Sequence, residues 1–317
     1  MTPPVPSRAR WPDGRSFGLF LSHDVDQIHD RELFRVLADL NHVRRIWTQG
    51  EKGNASLALR RVARALAAPK PAEQDFETIL AIEARHGFRS TFFVLHDPYW
   101  SRNGPRYRLA CPEIRRIAAR IRDAGCEIGL HGGVLRFNQA DGYRESREAL
   151  RAALGVEAVG IRNHLLRFSG ADTWAAQEFA GFRYDATFGY PDRLGPRDGR
   201  MVPFVPEGRN LLELPLTVMD VTLFRNLGLE GAAALDAAWR AIEPVAQAGG
   251  LVSLLWHNNY FNEPEYRDWQ WTYEQLLERL AALKPWCAPG ADVERWWRAN
   301  AENCALAGPE TSVGFKP

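Results

Sequence analysis

The residues with chemical potential lie in short clusters. Residues 22–26 read SHDVD and place Asp24 and Asp26 two positions apart, with His23 and His29 close by. Further along come His131 in EIGLHGG, Arg162 and His164 in GIRNH, Asp185 in FRYD and His257 in LLWHNN. Carboxylate oxygens and neutral imidazole nitrogens together suit zinc or a similar divalent ion. Two imidazoles and one carboxylate leave coordination positions open, and such an ion brings the pKa of water toward about 7 and polarises a carbonyl oxygen. A second carboxylate nearby can take a proton, and a histidine on the opposite side can give one to a leaving group. These groups form a kit for hydrolysing an amide or an ester.

Each cluster follows a short apolar run. Strands are expected at 17–21, 90–95, 127–130, 158–161, 183–185, 211–214 and 251–255, bounded by turn residues. Helical spacing occurs at 112–124, where Ile114, Ile117, Ala118 and Ile121 share a stripe that stops at Gly125, and again at 55–68, 232–248 and 273–283. Strands alternating with helices imply βα units and a mainly parallel sheet, and about seven such units fit one barrel better than two domains. In a parallel α/β barrel all strand C-termini open on one face, where active sites lie. An aspartate after a strand is ordinarily a turn or cap, and a lone histidine is ordinarily a core residue. Five strand ends carrying such residues together do not fit that ordinary pattern.

The chain has 317 residues, 45% apolar and 25% charged, with a formal net charge of +1. No global basic field argues for nucleic acid or an anionic membrane. Lys52, Lys70, Lys284 and Lys316 are the lysines, and the other basic residues are arginines, which reads as a genome-composition bias. Cys111, Cys126, Cys287 and Cys304 form no C-x-x-C pair, which argues against a zinc knuckle or redox motif and suits a reducing compartment. The first residues lack the apolar stretch of a signal peptide, and no run approaches the ~18 apolar residues of a membrane span. The expectation is a cytoplasmic protein with a single catalytic domain over 1–317. Its core covers about 17–283, with an inserted helical segment about 43–72 and a C-terminal helix and tail at 285–317.

In their order along the chain these motifs resemble the polysaccharide deacetylases of the NodB-homology type, carbohydrate esterase family four. The resemblance implies a deformed (β/α)7 barrel, an α/β fold. By the match of SHDVD, Asp24 is the catalytic base and Asp26 a metal ligand. GLHGG would supply His131 as a ligand, GIRNHLLRF would supply Arg162 to orient the base, FRYDAT would supply Asp185 as its partner, and LLWHNN would supply His257 as general acid. Two departures stand out. The family's second ligating histidine falls at Leu135, which cannot bind a metal, so either the site has lost a ligand or another residue supplies it, with His164 the candidate and His29 the weaker alternative. His23 replaces an aromatic residue before the base and is expected to lie behind the site.

The expected activity is metal-dependent amide hydrolysis: removal of an N-acetyl group from an amino sugar of a polysaccharide, glycolipid or nucleotide-sugar precursor, with Zn2+ as the ion. A cytoplasmic location would favour a small precursor over a finished polymer. Trp256 as a cleft wall, with Asn258 and Tyr190, are the candidate substrate-binding residues. A non-sugar amidase on the same fold, or a carbohydrate-binding relative that has lost catalysis, are the rival readings. The D-V-D step also resembles the nucleophile motif of haloacid-dehalogenase-type phosphatases, but no lysine lies between Lys70 and Lys284 to serve it. Helical HD phosphohydrolases and D-x-D glycosyltransferases place their motifs elsewhere than on a first strand.

Overall fold

The computed structural model describes residues 11–28, 33–49, 55–56, 59–60, 62–63, 71–98, 101 and 103–300. His29, Cys304, most of the expected helix at 55–68 and the tail at 305–317 lie outside the described residues. Nine strands form one sheet: β1 Gly18–Val25, β2 Thr91–His96, β3 Glu127–Gly132, β4 Gly160–Asn163, β5 Tyr184–Asp185, β6 Leu212–Glu213, β7 Val218–Met219, β8 Leu251–Leu255 and β9 Trp286–Cys287. Their order is β6-β5-β4-β3-β2-β1-β8-β7, with β9 also beside β1, and every strand pairing is parallel. Residues 214–217 join the two ends, since Leu214 N–H donates to the Asp185 carbonyl and Thr217 N–H to that of Ser253. The sheet therefore curls into a deformed (β/α)7-type barrel, distorted where β5, β6, β7 and β9 are only two residues long.

The described helices are α1 Leu33–Gln49, α2 Gln74–Ala84, α3 Pro112–Asp123, α4 Ala140–Leu154, α5 Ala171–Phe179, α6 Gly231–Gln247, α7 Arg267–Ala282 and α8 Gly290–Ala299, of which α2 to α7 pack on the outer side of the sheet. α3 shows why they form. Pro112 opens it without losing a helical hydrogen bond, its stripe of Ile114, Ile117, Ala118 and Ile121 is buried, and Gly125 at φ 72° lets the chain leave.

The period-two alternation of strands divides the interior. Odd-numbered residues of β1 (Leu19, Leu21, Val25) face outward and pack with Phe76 and Ile79 of α2. Even-numbered Phe20 faces inward with Phe93, Tyr184, Leu212, Leu214 and Leu251. Trp11, Val293 and Trp297 join this inner cluster, so the C-terminal helix is part of the barrel's plug. The plug uses early positions of β1 and β8, leaving the inner face at the C-terminal ends to polar groups.

Strand boundaries differ from expectation there. β1 continues through Asp24 to Val25, β3 through His131 and β4 through Arg162. Apolar runs stop at the first polar residue, whereas backbone pairing continues wherever that side chain has an inward-facing partner. β7 and β9, each two residues long, are absent from the sequence reading.

Candidate metal centre and active site

β1 positions both aspartates. Asp24 is within the strand and Asp26 follows it, so the spacing of two puts both on the inner face. β3 brings His131 and β4 brings Arg162, paired in register across the sheet. Gly132 and Gly133 follow His131 because nothing larger fits: a Cβ on Gly132 would meet Asn163 Oδ1 at 2.6 Å, and one on Gly133 would meet Asp97 Cγ at 2.3 Å.

His164 sits on the one-turn helix His164–Leu166, where Leu165 and Leu166 hold φ of 60° and 49°. Left-handed backbone costs an L-residue roughly 1–2 kcal/mol. Asn163 secures the turn, donating through Nδ2 to the Arg167 carbonyl and receiving the Tyr143 hydroxyl at Oδ1. The outcome is a ring whose Nδ1 lies 3.0 Å from His131 Nε2 and 3.4 Å from Asp26 Oδ1. His131 Nε2 is 3.5 Å from the same oxygen.

These three donors fit a divalent cation. Ligand atoms about 2.1 Å from an ion at tetrahedral angles lie roughly 3.4 Å apart, close to the observed triangle. Asp26 Oδ1 is buried without a hydrogen-bond partner. His131 Nδ1 contacts the Arg162 carbonyl at 2.9 Å. That carbonyl only accepts, so Nδ1 carries the proton and the Nε2 lone pair faces the triangle.

Two further groups face this centre. Asp24 Oδ2 lies 3.4 Å from His131 Nε2, while its Oδ1 accepts a hydrogen bond from Arg162 Nη1 at 3.0 Å. Arg162 is fully buried, donates through Nε to the Ala186 carbonyl and lies 4.6 Å over the Phe93 ring. From the other side His257 Nε2 stands 4.0 Å from Asp26 Oδ2. Its Nδ1 is 2.8 Å from Asp220 Oδ1, and its backbone N–H donates to Asp220 Oδ2.

Burial alone would raise both aspartate pKa values. His131 and Arg162 outweigh it for Asp24, and His164 for Asp26, so both carboxyls stay below the usual range. Burial pushes His131 down to about 4, against the pull of Asp24, whereas Asp26 overcomes burial and raises His164. Burial would also lower His257, but Asp220 lifts it to about 9.

No family model and no curated protein matches the sequence. The fold does have solved counterparts. A Mycobacterium smegmatis protein assigned to the polysaccharide deacetylases aligns at TM-score 0.60 and 20% identity, over 98% of each chain. The chain has the polysaccharide deacetylase fold. More distant are the peptidoglycan deacetylase PdaC of Bacillus subtilis (TM-score 0.47, 9% identity, 96% of this chain and 99% of that one) and the Xyl-CE4 domain of a xylanase from the hindgut metagenome of Trinervitermes trinervoides (TM-score 0.45, 13% identity, 90% and 91%).

Within this deacetylase fold, several expected site residues are placed differently. Asp185 does not pair with Arg162. Its strand neighbour Tyr184 faces the inner cluster, so Asp185 points outward, bonding Thr187 and Glu213 beneath α5. Burial raises both carboxyls, Asp185 to about 6 and Glu213, with the Asp185 charge beside it, well above its usual value. Trp256 is not a cleft wall. Adjacent strand residues face opposite sides, so with His257 inward, Trp256 is fully buried against Phe224 and Tyr273. Asn258 is buried and clamps the Gln27 carbonyl. Tyr190 bonds Asp198 and stacks with Arg193. Leu135 is half exposed, its amide tied to Asp97 Oδ2.

Asp220 was not anticipated. It follows β7, whose two residues were not read as a strand, and the MDV step at 219–221 is its only mark in the sequence.

His23 faces outward behind the site, as alternation requires. Its Nδ1 meets the Trp256 carbonyl and its Nε2 the Glu83 carboxylate, each at 2.8 Å. Glu83, nearly fully buried, also accepts from Tyr273 and Ser90, each at 2.7 Å. Since the Trp256–His257 peptide is held at its carbonyl by His23 and at its N–H by Asp220, this network fixes the backbone carrying His257. Glu83→Ala strands three buried donors and is expected to cost about 3–5 kcal/mol. Guanidinium unfolding would show this as a lower midpoint at unchanged slope. An unchanged midpoint would refute it.

Proposed function

We propose that the protein is a metal-dependent amide hydrolase that removes an N-acetyl group from an amino sugar. The observation that supports this most is the triangle of Asp26, His131 and His164, flanked by Asp24 on one side and His257 on the other. The mixed nitrogen and oxygen donor set suits Zn2+, which when bound supplies Lewis acidity toward the acyl oxygen and toward water. Asp24, kept anionic by Arg162 and His131, takes the proton of the attacking water. Arg162 occupies Oδ1 and so leaves Oδ2 as the basic atom. His257 protonates the nitrogen of the collapsing adduct, because an amide nitrogen must leave as a neutral amine. Asp220 orients that ring and keeps it charged at neutral pH.

The test is acetate release from a panel of N-acetylated amino sugars beside simple linear and cyclic amides, using zinc-loaded protein. Release from the sugars supports the proposal. Release from the simple amides alone would replace it with a non-sugar amidase, and release from neither with a binding protein.

The acid assignment carries its own expectation. His257 acts while protonated, so activity should fall as pH rises through about 9. Asp220→Asn removes the carboxylate that lifts this pKa, and the alkaline limb should move toward the ordinary value near 6.5. Turnover at pH 8 then drops about 30-fold, while metal content holds. A pH profile with an unmoved alkaline limb would contradict the role given to Asp220.

A further inference from the structure

The turn after β7 is a π-helix, Thr222–Asn226, a geometry often found at functional sites. It holds Phe224 and Arg225 over an aromatic shelf. Phe224 stacks on Trp269 with ring centroids 4.5 Å apart, and Tyr260 lies 4.0 Å from Trp269. The Arg225 guanidinium lies 5.2 Å from the Tyr260 ring and 5.8 Å from that of Trp269. It is exposed, it bonds the Tyr266 phenol and feels the charge of the Asp220 carboxylate, and it makes no direct ion pair among the described residues. The same Tyr260 ring lies 5.8 Å from the His257 ring, so a single aromatic side chain separates this cation from the candidate acid.

A second cation has the same setting. Arg197 lies 4.9 Å over Phe188 and 5.2 Å over Phe168, on the loop after β5, and has no carboxylate partner among the described residues. That loop is tied to the π-turn, since the Pro191 carbonyl accepts from Thr222 Oγ1 and Asn226 Nδ2. Both arginines belong to loops at the C-terminal ends of strands, the end that carries the metal triangle.

An arginine held against aromatic rings keeps its charge and its outer N–H edge while losing little further freedom on binding. Planar guanidinium edges match phosphate and carboxylate oxygens. The geometry points to an oxyanion subsite beside the catalytic centre, with Arg225 as its principal contact and Arg197 as its flank. The substrate is accordingly an N-acylated sugar bearing a phosphate or carboxylate group. This rests on the deacetylase reading for the sugar, but not for the anion.

Calorimetric titration of the zinc-loaded full chain separates the two. N-acetylglucosamine 1-phosphate should bind at least about tenfold tighter than N-acetylglucosamine, as expected for a charge-assisted contact. Inorganic phosphate should compete with it. Arg225→Gln should abolish both the advantage and the competition, Arg197→Gln should reduce them, and Arg225→Lys should retain part. An N-acetylated uronic acid showing the advantage in place of the phosphate would support the same subsite with carboxylate as its ligand. Equal affinity for charged and neutral sugars, or an advantage undiminished in Arg225→Gln, would overturn the subsite. Arg225-dependent phosphate binding without turnover of any acetylated sugar would leave the subsite standing and remove the deacetylase reading.

Discussion

Asp24→Asn should lower turnover by about 10²–10⁴-fold, the range for loss of a positioned acid or base, while leaving metal content unchanged. The two aspartates share one strand face, yet their surroundings divide the work. Asp24 spends one oxygen on Arg162 and keeps the other toward the centre, whereas Asp26 Oδ1 is buried with no hydrogen bond. Asparagine keeps the shape and can still accept from Arg162, but it cannot take a proton. It also leaves the fully buried Arg162 without a counter-charge, so a loss of stability is expected beside the loss of rate. The two effects separate if turnover is compared at a temperature where both proteins are folded by circular dichroism. Turnover within tenfold of wild type, with the metal still bound, would remove Asp24 from the role of base.

His164→Ala should be as damaging for a different reason. Losing even an outer partner of a metal ligand typically costs 10–100-fold, so loss of a ligand should cost at least about 100-fold in activity at limiting zinc. The geometry gives the physical reason for this expectation. Leu135 has its amide tied to Asp97 on a turn of its own, and offers no donor. The strained pair Leu165 and Leu166 turns His164 so that Nδ1 meets both Asp26 and His131. Excess zinc should restore part of the lost activity, because two of the three donors remain. Full activity of His164→Ala at limiting zinc would contradict this.

Much of this arrangement was legible because strand ends concentrate it. Asp24, Asp26, His131, Arg162, His164 and His257 could be found as polar residues closing apolar runs, and the parallel βα alternation explains why they meet. What escaped the sequence has specific physical causes. Asp220 follows a strand of two residues, too short for periodicity to register. Trp256 departs from its expected place in the cleft because of strand alternation: beside an inward His257 it points out of the barrel. Asp185 failed for the same reason, since its neighbour Tyr184 already takes the inner face. The His23–Glu83 contact spans 60 positions, and no local pattern marks a partner that helix α2 brings from outside the barrel.

The measurement that bears most directly on the centre is zinc stoichiometry of the purified full chain after loading and dialysis, in wild type and in His164→Ala. About one ion per chain is expected in the wild type, as for a single three-ligand site. Near-complete loss is expected in a His164→Ala protein that circular dichroism shows to be folded. Full occupancy in His164→Ala, or a wild-type chain that retains no zinc, would contradict the three-ligand site.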